Sequence, residues 1–270
     1  MPFEKVNNLR IYYEVHGEGE VIILMHHGFG STRIWDYVYS RFVAQGYRVV
    51  MFDRRGYGRS ERGDDFPEFF KSNRYRLESV EELRILKEKL GITECHLVGQ
   101  CEAGAIGIDY SIKYPHEVKT LTVAGTQCYS KVPMTEFVVT KFKKQFADLE
   151  PNLQAKTIKN HGEAAEMNYN LFIEAGGAYG LDFFDLRPIL PLVTCPTLVI
   201  YPDRSIYFDV EQSIAFYRHL LKGELAVFPK CGHDTHEERP EDYTRTILDF
   251  IKRNTKSEAS NVHPAMTCLA

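Results

Sequence analysis

The feature that most limits what this 270-residue chain can fold into is an alternation: short apolar runs take turns with longer amphipathic segments almost from end to end. The runs lie at residues 9–16, 21–26, 47–53, 95–100, 118–125, 196–201 and 224–229. The first, LRIYYEVH, alternates in polarity and is closed by a Gly-Glu-Gly turn at 17–19. The rest are short, apolar and β-branched, as parallel strands covered on both faces must be. Helical patterns fill roughly 32–45, 78–90, 103–114, 210–221 and 240–253. Around the second, Leu77, Val80, Leu83 and Leu86 or Leu90 share a face, and Gly91 supplies a stop. Strands alternating with helices imply parallel pairing through right-handed crossovers. The expected fold class is therefore α/β, with a mostly parallel, doubly wound sheet.

The rhythm lapses between about 128 and 190, where mixed helical patterns with aromatic faces lead to a Gly-Gly turn at 176–177. An insertion at this point would cover the C-terminal edge of the sheet, where open α/β sheets bind ligands. The expected organisation is a core of residues 1–127 and 191–254, a helical cap at 128–190, and a disordered tail at 255–270, where periodicity ends.

Composition narrows the function. The net charge is -4 and no Lys/Arg block occurs, so neither nucleic acid nor another polyanion is expected as partner. No apolar run approaches ~18 residues and no charged-then-apolar leader opens the chain, which points to a cytoplasmic protein without membrane association. Six cysteines without a CxxC pair are expected to stay reduced and to bind no metal. Neither glycine-rich turn has phosphate-loop or dinucleotide spacing, so no cofactor is implied. A homodimer is among the assemblies the sequence allows.

Directly after the run CHLVGQ stands Gly99-Gln100-Cys101-Glu102-Ala103-Gly104, followed by a helix. A reactive side chain between a strand and a helix, with small residues on either side, forms a nucleophile elbow. The strained turn needs small neighbours so that strand and helix can approach, and the helix end is expected to lower the thiol pKa. Here the sequence resembles the α/β-hydrolase superfamily over about residues 5–254, in a variant with a cysteine nucleophile as in dienelactone hydrolases. It departs from the usual pattern in carrying Cys101 for serine and Ala103 for glycine.

The resemblance extends to further loops. Cys231-Gly232-His233-Asp234-Thr235-His236-Glu237-Glu238-Arg239-Pro240 is similar to the family's G-H-x4-E-x-P loop, which implies His233 as the base, with His236 as runner-up. The supporting acid falls in Tyr201-Pro202-Asp203-Arg204-Ser205. Ungapped comparison places Ser205 at the acid position, whereas a two-residue shift places Asp203 there. Asp203 is favoured because an imidazolium needs a carboxylate, and Asp209 is a weaker choice. His27-Gly28-Phe29-Gly30-Ser31-Thr32 resembles the H-G-x-G loop, implying an oxyanion hole built from the amides of Phe29 and Glu102.

The Glu102 side chain is unusual there. It is expected to raise the thiol pKa, and substrate, His26 or a structural contact beneath the cap could engage it. Asp53-Arg54-Arg55-Gly56-Tyr57-Gly58-Arg59-Ser60 resembles a structural family marker.

These residues imply hydrolysis of an ester, thioester or lactone through an acyl-cysteine, with a small-molecule acyl substrate. Acyl transfer, carbon–carbon bond hydrolysis and a non-catalytic ligand-binding relative are the alternatives. Aromatic residues of the cap (Tyr129, Phe137, Phe142, Phe146, Tyr169, Phe172, Tyr179, Phe183, Phe184) suggest an apolar or aromatic acyl portion.

Overall fold

Seven of the eight strands coincide with the seven apolar runs. In the computed structural model, which describes residues 2–142 and 144–255, they are β2 (Leu9–His16), β3 (Glu20–Met25), β4 (Tyr47–Phe52), β5 (Cys95–Gln100), β6 (Val118–Ala124), β7 (Thr197–Pro202) and β8 (Gly223–Phe228). The eighth, β1 (Phe3–Val6), is joined to β2 by Asn7 and Asn8 at φ 48° and 67°. Asparagine tolerates the left-handed region, and two such residues in succession make a tight hairpin. That dipeptide is the signal the apolar pattern overlooks.

The sheet order is β1-β2-β4-β3-β5-β6-β7-β8. β1 and β2 pair antiparallel, β2 pairs antiparallel with β4, and the remaining neighbours are parallel. The ten helices among the described residues are α1 (Tyr39–Val43), α2 (Phe66–Lys71), α3 (Tyr75–Lys89), α4 (Glu102–Lys113), α5 (Met134–Lys141), α6 (Pro151–His161), α7 (Ala165–Ala175), α8 (Glu211–His219), α9 (Thr235–Glu238) and α10 (Pro240–Thr255). One apolar core joins the sheet to α3, α4 and α8; the other joins it to α1 and α10. This is a doubly wound α/β architecture, with β3 at the point where strand order reverses.

Two local expectations need correction, and one short helix lies outside the expected patterns. The helix expected at 32–45 is a 3₁₀ turn (Thr32–Trp35) followed by the short α1. Ser31 caps that turn by accepting from the Arg33 amide, and Asp53 takes the Thr32 amide at 2.6 Å, so the segment is tied to the end of β4. Leu77 is 63% exposed, and α3 instead buries Tyr75, Val80, Leu83 and Leu86. α2 also escapes the apolar pattern, although Phe66, Phe69 and Phe70 bury its inner face.

Between β6 and β7 the chain forms α5, α6 and α7 with intervening 3₁₀ turns. Aromatic contacts seat this insertion on the loop after β3: the Phe29 and Phe172 ring centroids lie 4.3 Å apart. Of the expected disordered tail, residues 256–270 lie outside the described residues. No helix among the described residues is long and apolar enough to cross a membrane.

Candidate active site

Cys101 occupies the single residue between β5 and α4, with φ 55° and ψ -123°. A non-glycine residue pays about 1–3 kcal/mol for such a conformation, and surrounding bonds must hold it. Its amide donates to the Ala124 carbonyl at 2.8 Å, and the Thr126 hydroxyl donates to its carbonyl at 2.9 Å. The flanking small residues are sterically required. A Cβ on Gly99 would lie 2.5 Å from the Ala103 carbonyl oxygen, and one on Gly104 2.0 Å from Thr126 Oγ1.

The sulfur faces a cavity of about 440 Å³ between the sheet edge and the insertion. His27, Gly28, His233 and Asp234 line it from the core, and Phe137, Phe142 and Phe172 from the insertion. Cys101 and His233 thus share one cavity, but among the described residues they make no hydrogen bond with each other. The sulfur lies instead 3.7 Å from the Tyr179 hydroxyl. Burial pushes the thiol up to about 12; the Tyr179 hydrogen bond opposes this rise and the Glu102 carboxylate adds to it. The thiolate expected from the helix end therefore does not form at rest, because desolvation outweighs the dipole. Burial also holds the His233 pKa below the ordinary histidine value, with Asp234 opposing. The resting pair is a neutral thiol and a neutral imidazole.

The partner of His233 is Ser205, not Asp203. Ser205 Oγ lies 3.1 Å from His233 Nδ1. Asp203 directly follows β7, its own amide bonds to the Phe228 carbonyl, and its carboxylate accepts from the Cys231 amide at 3.2 Å. It therefore stays with the strand edge. Asp209 accepts from the Glu211 amide at the start of α8. Ser205 Oγ also accepts from the amides of Tyr207 and Phe208 at 3.2 and 3.3 Å. With both amides on the oxygen, the hydroxyl proton is directed at Nδ1, which favours the imidazole tautomer protonated at Nε2. A hydroxyl can reverse that bond; a carboxylate could only accept.

The oxyanion loop differs from expectation in a similar way. The Phe29 amide donates to His27 Nδ1 at 3.1 Å, so at rest this donor is engaged by a side chain. The Glu102 amide, next in the chain, favours the thiolate. The Glu102 carboxylate enters neither the cavity nor a bond with His26. It is fully buried, pairs with the Arg54 guanidinium and accepts from the Ala178 amide at 2.7 Å. Arg54 continues to the Tyr75 hydroxyl at 3.0 Å, and Tyr75 to Tyr57 at 3.1 Å. Glu102 is thus the structural contact beneath the insertion.

A family model described as the alpha/beta hydrolase fold matches residues 21–166. The chain belongs to that family. It is 25% identical to a 2-hydroxy-6-oxo-6-phenylhexa-2,4-dienoate hydrolase from Burkholderia cepacia, covering 91% of this chain and 92% of the relative. It is 24% identical to a 2-hydroxy-6-oxononadienedioate/2-hydroxy-6-oxononatrienedioate hydrolase from Comamonas testosteroni, with coverage of 91% and 92%. An enol-lactonase from Burkholderia xenovorans LB400 superposes with a TM-score of 0.76 at 18% identity, covering 93% of this chain and all of that one.

Other polar groups of this hydrolase fold lie beside the cavity. His27, Asp234 and His236 bring possible metal-ligand atoms within 4.8 Å of one another. Two features oppose a cation there. His27 Nδ1 accepts the Phe29 amide proton, which leaves its own proton on Nε2, the atom facing Asp234 at 4.0 Å. The Lys156 ammonium already holds Asp234 and Glu237, each at 2.8 Å. His236, the runner-up base, is fully buried with its ring centroid 5.0 Å from that of Trp35, outside the cavity lining. Asp53 accepts the amides of Thr32 and Arg59, the stitching expected of its stretch. Of the aromatic residues marked in the insertion, Phe137, Phe142, Tyr169, Phe172 and Tyr179 line the cavity. Tyr179 is the neighbour of the sulfur that the motifs do not single out. The Gly176-Gly177 turn, at φ 72° and 59°, leads the chain to it.

Proposed function

We propose that the protein is a hydrolase acting on an ester, thioester or lactone through an acyl-cysteine intermediate at Cys101. The observation that carries this reading is the left-handed turn presenting Cys101 to a cavity that also holds His233. Such backbone strain is retained where the surrounding structure enforces it, and it clusters at reacting groups. In acylation the sulfur attacks the carbonyl carbon, and the thiol proton passes through His233 to the leaving group. In deacylation a water loses its proton to His233, attacks the acyl carbon, and the carbon–sulfur bond breaks to return the thiol. For Nε2 to take the thiol proton, the ring must first carry its own proton on Nδ1, and Ser205 Oγ must release one of its two amides to accept from it. For the Phe29 amide to join the Glu102 amide on the oxyanion, it must leave His27. The aromatic wall favours an apolar or aromatic acyl group.

A second reading, hydrolysis of a carbon–carbon bond, is supported by the names of the relatives. A 2-hydroxy-6-oxo-6-phenylhexa-2,4-dienoate has a ketone but no ester or amide, so its hydrolysis must break a carbon–carbon bond. Assays with p-nitrophenyl esters, acyl-CoA thioesters, lactones and such a dienoate separate the two. Trapping an acyl group on Cys101 by mass spectrometry supports the acyl-cysteine route. Full activity in Cys101→Ala refutes it.

A further inference from the structure

We propose that the Tyr179 hydroxyl is the side-chain donor that stabilises the Cys101 thiolate, making Tyr179 a second catalytic residue at the sulfur. This rests on Cys101 as nucleophile. The Tyr179 oxygen lies 3.7 Å from Sγ and accepts the Gln127 amide proton at 3.3 Å. Tyr179 is buried, and a buried hydroxyl needs somewhere to place its proton. With the amide on the oxygen, the sulfur is the acceptor that the structure offers that proton.

The geometry is built rather than incidental. The Tyr179 ring stands edge-on to Phe184 at 4.9 Å and to Phe208 at 5.8 Å between centroids, which restricts its swing. Gln127 follows Thr126, whose hydroxyl holds the Cys101 carbonyl. The segment that sets the strained turn therefore also aims the phenol. Among the described residues no other side chain, His233 included, makes a hydrogen bond with the sulfur, and the backbone amide of Phe29 is turned to His27. The nearby charges are Glu102, which is paired with Arg54, and Asp234, which is paired with Lys156. Both carboxylates disfavour the thiolate. A neutral donor in contact with the sulfur counters them without adding a charge to an apolar cavity.

The donor acts twice in the cycle. In acylation the S–H bond breaks, its proton goes to His233, and the carbon–sulfur bond forms from a sulfur already accepting from Tyr179. In deacylation the carbon–sulfur bond breaks, its electron pair returns to sulfur, and the same O–H bond steadies the departing thiolate.

The test is iodoacetamide alkylation of the full chain, read on the Cys101 peptide by mass spectrometry from about pH 6 to about pH 10. Tyr179→Phe keeps the ring and removes the donor. It is expected to slow alkylation at fixed pH roughly tenfold or more, the worth of a hydrogen bond to a charged group, and to move the profile alkaline. Phe184→Leu loosens the packing that aims the phenol but keeps the hydroxyl, and should shift the profile less than Tyr179→Phe does. An unchanged profile in Tyr179→Phe overturns the inference. Faster alkylation overturns it too, because the hydroxyl would then be a restraint on the sulfur. If Cys101→Ala retains hydrolysis, the nucleophile assignment fails instead, whatever the Tyr179 result.

Discussion

Replacing Ser205 with aspartate should convert a reversible hydroxyl–imidazole contact into a fixed carboxylate–imidazole pair. Ser205 Oγ lies 3.1 Å from His233 Nδ1 and accepts the amides of Tyr207 and Phe208. A carboxylate at this position can satisfy the same two amides, since Asp favours such turns at least as well as Ser. It can only accept from Nδ1, so it fixes the proton there and frees Nε2 to act as base. Hydrogen bonds involving a charged group contribute about 1–2 kcal/mol more than neutral ones, which corresponds to roughly five- to thirtyfold in kcat/KM at about pH 8. The His233 pKa, now held down by burial, should rise by about one unit for each 1.36 kcal/mol. Because the base must be neutral to accept a proton, the acid limb of the pH–rate profile should move to higher pH. The assay is ester hydrolysis across pH, with imidazole NMR giving the His233 titration directly. Asp203→Asn is the companion variant and should leave both readouts nearly unchanged. The reasoning fails if Ser205→Asp leaves rate and titration untouched while Asp203→Asn abolishes activity.

Other consequences are equally open to measurement. Glu102→Gln leaves the buried Arg54 guanidinium without its anion and should cost about 3–5 kcal/mol, read as a lower urea midpoint. Glu82 is buried and its pKa is raised from 4.5 to about 7, chiefly by desolvation. Its folded pKa exceeds its unfolded one, so its stabilising contribution is complete below about pH 4.5 and is lost as pH rises through about 7. Glu82→Gln should therefore raise Tm at about pH 8, by an amount equivalent to roughly 3 kcal/mol, and change little near pH 4; equal shifts at both pH values would contradict the assignment. Wild-type Cys101, with its thiol at about 12, should alkylate steadily faster with pH and reach no plateau below about pH 10. Phe142→Ala should raise KM for aromatic esters more than for acetyl esters; parallel changes would place that ring outside the acyl subsite.

Much of the sheet was legible because its central strands are covered on both faces and so read as continuous apolar runs. β1 was not, because it is a short edge strand whose pairing is set by a turn of two asparagines rather than by its own hydrophobicity. The elbow was legible for a steric reason, since few residues fit where strand and helix cross at Gly99 and Gly104. The acid position was ambiguous because spacing fixes chain distance, not where a loop turns after leaving the sheet. Ungapped counting pointed to Ser205, and chemical preference for a carboxylate pulled the choice to Asp203. The state of the thiol was misjudged for a related reason. A helix end can be seen in a sequence, while the depth at which the sulfur lies depends on the insertion above it. Tyr179 reaches the sulfur from 78 positions away in the chain, a separation that local pattern does not encode.

The anchoring of Ala178 to Glu102 also bears on traffic into and out of the cavity. Lifting the insertion at that end would expose a guanidinium and a carboxylate together and strand an amide, a cost that thermal motion rarely meets. Solute exchange should therefore run past another part of the rim, where the exposed Lys141 and Lys144 line the cavity. That rim, rather than the floor, would then govern which molecules are admitted and how quickly products depart.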